Sequence, residues 1–379
     1  MTQSEATAPV SPASTGSGPG PARRPPPVAS RGVIGWLRAN LFSSWYNSLL
    51  TVLMFWLLVQ IVPGMVGWLV TDAVWSAPDA ATCRAAEGGA CWAFVAEKWR
   101  FILFGTYPFE EHWRPTLAML LVVGVLVASA DRRLWGRWLL PLWLGGLGLA
   151  GLLMFGGVFG LIYVDTTRWG GLPLTLVLSV VGLALAFPLG VLLALGRTSK
   201  LPVIRALSVV YIEAIRGVPL ISILFMASVM FPLFLPQEVT VDKLLRAQIG
   251  LILFAAAYLA EVVRGGLQAI PKGQYEAAEA LGLGYWQRTR LIILPQAMAL
   301  VIPPLVNTFI GFFKDTSLVI IIGLLDLLST AKASLTDPAW RGFYKEAYLF
   351  IGVIYFVFCW ALSRYSMYLE RELNKSRRR

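Results

Sequence analysis

Ionisable side chains inside or beside apolar runs offer the chain's first chemistry: Glu213 and Arg216, Glu261 and Arg264, Lys314 and Asp315. A charge within a bilayer is costly, so it marks a path, a relay or a mutual pair. Glu213 and Arg216 are three residues apart, share a helical face and can pair with each other. A solute carrying one ammonium and one carboxylate needs both signs. Asp315 or Glu213 would take the ammonium, and Lys314 or Arg216 the carboxylate. Asn307, Thr316 and Ser317 add hydrogen-bonding groups to the same segment. The competing reading is that the pairs are salt bridges holding helices in register, and Glu261 and Arg264 fit that role better.

These groups must be carried by elements that cross lipid. Of 379 residues, 57% are hydrophobic and 14% charged, against about 25% charged in a typical soluble domain. Only helices or closed barrels satisfy the backbone in lipid, and a helix needs about 20 mostly apolar residues. Eight stretches qualify, near 48–70, 116–130, 138–163, 172–195, 206–235, 247–266, 297–320 and 347–367. The chain is therefore expected to be an all-α integral membrane protein. The run 206–235 is broken by Gly217 and Pro219, and the semi-polar residues 321–346 are expected to fold partly back into the membrane.

The net charge of +11 does not require a nucleic acid, because Lys and Arg concentrate in cytoplasmic loops. Arg23, Arg24, Arg31, Arg38 and Arg377 to Arg379 fit anionic lipid at the termini, and both termini are placed in the cytoplasm. Residues 1–30, rich in Pro, Ser, Ala and Gly, read as a disordered tail without a cleavable leader, and 371–379 as a basic tail. The loop 71–114 then faces outward, where Cys83 and Cys91 could form a disulfide and the lone His112 would be solvated. No metal site emerges, and no GxxxxGK[ST] loop is present to hold nucleotide phosphates.

Between two apolar runs lies the polar loop Gln274–Pro295. Gln274 to Gly282 favours a short helix, with Gly273 as cap and Gly282 as its left-handed stop. A second helix is expected from about Tyr285, and Pro295 suits the first turn of the next span. The two would form a rigid cytoplasmic knob.

The spacing Glu276-Ala277-Ala278, Gly282, Ile292, Leu294, Pro295 resembles the EAA motif of ABC-importer permeases. Further blocks resemble permeases of the polar amino-acid, histidine/glutamine type: Tyr211 to Leu220, Ala257 to Gly266, Ile270 to Gln274, Pro303 to Asn307 and Lys314 to Leu318. The long N-terminal part resembles general L-amino-acid and glutamate/glutamine/aspartate/asparagine permeases. The resemblance implies a type I ABC-importer permease fold: a five-helix core over 171–370, with about three extra transmembrane helices in 31–170. It implies a bacterial inner-membrane subunit that moves polar L-amino acids by alternating access and is not itself an enzyme. Glu276, Ala277, Ala278, Gly282, Leu294 and Pro295 would couple it to an ABC ATPase dimer that binds ATP-Mg. A second homologous permease and a periplasmic amino-acid-binding protein would complete the complex. An ion-coupled secondary transporter is the alternative class.

Overall fold

The computed structural model describes residues 32–377 except Glu87 and Gln237, without the side chains of Arg132 and 373–377. The tail 1–30 and the last two arginines lie outside the described residues. Two compact units divide the chain, Met1–Thr71 and Asp72–Arg379.

The first unit holds α1 (Gly32–Asn40) and α2 (Trp45–Val66), the latter continued by one wide turn to Thr71. Ser44 caps α2 by accepting from the Asn47 N–H. No α2 residue is buried, and the helix is apolar all round.

In the second unit the helices are α3 (Ala80–Ala85), α4 (Trp92–Phe104), α5 (Trp113–Ser129), α6 (Leu139–Phe155), α7 (Gly171–Arg197) and α8 (Pro202–Arg216). There follow α9 (Leu220–Phe225), α10 (Phe231–Leu233), α11 (Lys243–Gln268), α12 (Lys272–Ala280), α13 (Tyr285–Arg288) and α14 (Leu294–Asp315). The two-residue strand β1 (Leu325–Asp326), α15 (Leu327–Ser334) and α16 (Tyr344–Arg377) complete it. The core is centred on α7 against α11, where small residues such as Ala186, Gly190 and Ala194 face Ala256 and Ala260 and let the backbones approach.

Among the described residues, six helices are long and apolar enough to cross a membrane, and a bent pair counts as a seventh. That pair joins α8 to the segment Leu220–Leu233 with a bend of 101° at Gly217–Pro219, because Pro219 cannot continue the ladder. The expected span 138–163 is shorter than the apolar run, since α6 stops at Phe155 and has 17 residues.

The region 71–114 is not a loop. Its helices α3 and α4 share a core with α15 and α16, through Phe94, Ile102, Leu327, Trp340 and Ile351. The sulfurs of Cys83 and Cys91 are bonded, with Cα atoms 5.8 Å apart. Where α4 ends, the backbone of Gly105 meets that of Gly170 so closely that a Cβ on Gly105 would lie 2.8 Å from the Gly170 Cα. Gly170 and Gly171 in turn pair in parallel with Leu325 and Asp326 of β1. Thr330 of α15 donates its hydroxyl to the Ile102 carbonyl at 2.6 Å, closing this seam from the other side.

His112 is another departure from expectation. It is buried rather than solvated, stacked 4.5 Å from the Phe104 ring with Nε2 3.0 Å from the Tyr107 carbonyl. An aromatic neighbour and a local backbone acceptor make burial of the imidazole tolerable.

Candidate functional site

The polar loop is built by its own backbone. Ala and Glu residues extend α12, and Gly282, at φ 72°, turns the chain out of it. The Gly282 N–H donates to the Glu279 carbonyl at 2.9 Å and the Leu283 N–H to Ala278 at 3.1 Å, satisfying two terminal carbonyls. The cap at the other end is Pro271 rather than Gly273, which lies inside the first turn. Gly284 then starts α13, its N–H donating to the Gln287 side chain at 3.2 Å.

Side chains brace the two short helices. Arg288 pairs with Glu279 and lies 5.6 Å above the Tyr275 ring, while the Tyr275 hydroxyl donates to the Leu267 carbonyl at 3.2 Å. Burial raises the Tyr275 phenol above its ordinary range. Ala278 is 1% exposed and faces the rest of the chain. Glu276, Ala277, Gly282 and Pro295 are exposed and Leu294 is half-buried, so the small-residue face is open. Leu281 and Trp286 stand beside it at 77% and 69% exposure. From Tyr285 through Pro295 to Ile322 the backbone is helical without a gap, a 38-residue rod that includes a wide turn at Thr289–Ile293, Pro303 and Pro304 in mid-helix and a tighter 3-10 end from Thr316.

At the far part of that rod, Leu300, Pro304, Asn307, Gly311 and Lys314 are all exposed. Their spacing of four, three, four, three sets them on one stripe of α14. Asp315 is half-buried, Ser317 likewise, and Thr316 is fully buried with its hydroxyl committed to the Phe313 carbonyl at 2.8 Å. Asn307, Lys314 and Asp315 thus share a region, whereas Thr316 faces the bundle.

Glu213 and Arg216 do not pair with each other. Glu213 reaches Arg197 of α7 at 2.7 Å, and Arg216 reaches Glu261 of α11 at 3.5 Å. Glu261 also meets Arg197 at 3.2 Å and Arg264 at 2.7 Å. Three arginines and two glutamates therefore lash α7, α8 and α11 together. Partners on neighbouring helices win for Glu213 and Arg216 because Arg197 and Arg216 reach across to other elements and the Glu261 carboxylate can accept from several donors, Arg264 of its own helix included. Arg197 was legible only as the cation ending an apolar run; its two carboxylates come from distant segments.

Residues 186–375 match the family described as binding-protein-dependent transport system inner membrane component. The chain is 50% identical over 352 residues to the inner membrane amino-acid ABC transporter permease protein YhdY of Escherichia coli strain K12, covering 92% of this chain and 95% of that one. It is 41% identical to the glutamate/glutamine/aspartate/asparagine transport system permease protein BztC of Rhodobacter capsulatus, over 94% of this chain and 97% of that one. The probable amino-acid permease protein YxeN of Bacillus subtilis, 36% identical, matches 54% of this chain over 90% of its own length. A solved amino-acid ABC transporter with histidines shares 32% identity over 53% of this chain and 92% of that chain, with a TM-score of 0.48.

Proposed function

Because the chain belongs to the binding-protein-dependent inner membrane components, we propose the following division of labour for it within an importer. It is the multi-pass permease subunit of an amino-acid ABC importer, a transport subunit and not an enzyme. Its substrates are polar L-amino acids, the class carried in the name of BztC. An ABC ATPase dimer binds and hydrolyses ATP-Mg, a second homologous permease completes the path, and a periplasmic binding protein delivers the solute. Both termini and the Gln274–Pro295 loop face the cytoplasm, in keeping with the distribution of Lys and Arg.

The observation that carries this reading is the single rod from Tyr285 to Ile322. One end is continuous with a braced knob whose small residues are open to a partner. The other end bears Asn307, Lys314 and Asp315. A displacement of the knob is passed along this continuous helix toward the polar stripe, which is the mechanical requirement of alternating access. The stripe supports a path between permease chains, since Asn and Lys exposed to lipid would be strongly unfavourable. Glu213 and Arg216 serve the path indirectly, by fixing α8 against α7 and α11.

The test is uptake by the reconstituted complex with radiolabelled glutamate and glutamine. Replacing Glu276 with Lys should abolish ATP-driven uptake and copurification of the ATPase while the permease remains in the membrane. Uptake that persists without ATP would overturn the reading in favour of an ion-coupled carrier. Asp315→Asn and Lys314→Gln should each weaken apparent substrate affinity by about ten- to a hundredfold, the loss of one charged contact worth roughly 1.5–3 kcal/mol. Unchanged affinity with lowered yield would assign both side chains to structure.

A further inference from the structure

From Trp138 to Val164 no residue is charged, yet the helix within this run ends at Phe155. At 1.5 Å per residue, the 17 residues of α6 span about 25 Å, short of the roughly 30 Å hydrocarbon core. The rest of the run is the turn Gly156–Val164. It displays Val158, Phe159, Ile162 and Tyr163 to the outside, and Phe159 is 90% exposed. Phe159 also holds φ at 53°, a left-handed conformation that L residues adopt at a cost. A bulky apolar residue held so, fully out of the protein, has no reason in the fold of this chain.

We propose that residues 156–163 form a wedge inserted into the acyl–headgroup boundary of the lipid leaflet remote from the coupling loop, completing the crossing that α6 leaves short. Four observations fit lipid as the occupant. The wedge continues the exposed apolar face of α6, formed by Leu140, Leu144 and Phe155. It carries no charge, it ends on the amphipathic Tyr163, and Asp165 follows where water should begin. Its base is tied by backbone hydrogen bonds that limit what lipid would have to desolvate: the Gly157 N–H donates to Leu161, the Leu161 N–H to Val158, and Val164 donates to Phe155 and accepts from the Trp169 indole. Side chains from outside the turn meet the Ile162 carbonyl and two carbonyls at the end of α6. Arg114, 0% exposed, donates Nε to Leu153 at 2.7 Å and Nη1 to Ile162 at 2.8 Å, and the Tyr107 hydroxyl donates to Met154 at 3.0 Å. A turn bathed in water would not need an arginine withdrawn from solvent to satisfy it.

The test uses full-length chain in its complex, reconstituted in phosphatidylethanolamine/phosphatidylglycerol vesicles. Cys359 is replaced by Ser, and a nitroxide is attached to Phe159→Cys, with Ile162→Cys as a second site should the first reduce yield. Collision rates with oxygen, which partitions into lipid, and with a water-soluble nickel chelate are read by power saturation. The expected result is an oxygen-to-nickel ratio several-fold above that of a label at Glu97→Cys in α4. A ratio equal to that control would mean the turn stands in water and would overturn the proposal. Low collision with both reagents would mean a protein partner covers it, and would overturn it equally.

Discussion

Arg114 illustrates how much a single side chain can be asked to do. Its guanidinium reaches carbonyls on both sides of the turn after α6, and the positive charge sits where the α6 dipole ends. Arg114→Ala should cost about 3 kcal/mol or more, because buried carbonyls lose charged donors. The check is thermal unfolding of the purified chain, and Arg114→Lys should recover only part of the loss, since one ammonium cannot span both acceptors. In the sequence this residue is only the last of the outward-facing stretch 71–114; its acceptors lie 39 and 48 residues away, beyond the reach of any local pattern. Asp337 offers a pH test. Hydrogen bonding from Lys98 at 2.7 Å, then from the Ala339 N–H, lowers its carboxyl below the ordinary 3.8. A depressed carboxylate contributes stability that is present above 3.8 and is lost as pH falls through the folded value. The melting difference between the native chain and Asp337→Asn should therefore stay constant from pH 8 to 5 and close only below about pH 4.

At the scale of elements, the knob formed by Gln274–Pro295 was the most legible part of the chain. Ala, Glu and Gly carry local conformational preferences, and local preferences are what a single sequence displays. Gly282→Ala should weaken ATP-driven uptake by destabilising the end of α12, by about 1 kcal/mol for the left-handed position. Measured against Gly273→Ala, which lies inside the helix and should be neutral or better, the comparison separates turn geometry from bulk. The disulfide-tied region was less legible. Its helices α3 and α4 are too short to announce themselves, and their core is completed by residues more than two hundred positions away. Cys83→Ser should lower stability by about 2.5 kcal/mol on the loop-entropy estimate for this spacing, read as a shift in thermal unfolding of the oxidised protein.

For the molecule as a whole, composition and hydropathy located the apolar runs, because lipid imposes one requirement on every crossing. They did not decide how each run is used. The run ending at Val164 becomes a short helix and a turn, and the run 206–235 bends by 101°. Ion pairing was the least legible level, since Glu213 and Arg216 look complete as neighbours until α7 and α11 are brought beside them.

The seam at Gly105, Gly170 and β1 sets the terms on which such chains can be recombined. Permeases the length of YxeN match little more than half of this one, which makes a crossover just ahead of Gly171 look inviting. Such a chimera would keep α7 and β1 while replacing the end of α4 that fits between them, and a Cβ on Gly171 would lie 1.9 Å from the Leu103 carbonyl oxygen. Residues 72–170 are thus inherited together with the remainder of their unit. A graft that joins at Thr71 instead carries both halves of the seam from one parent, and is the place to cut.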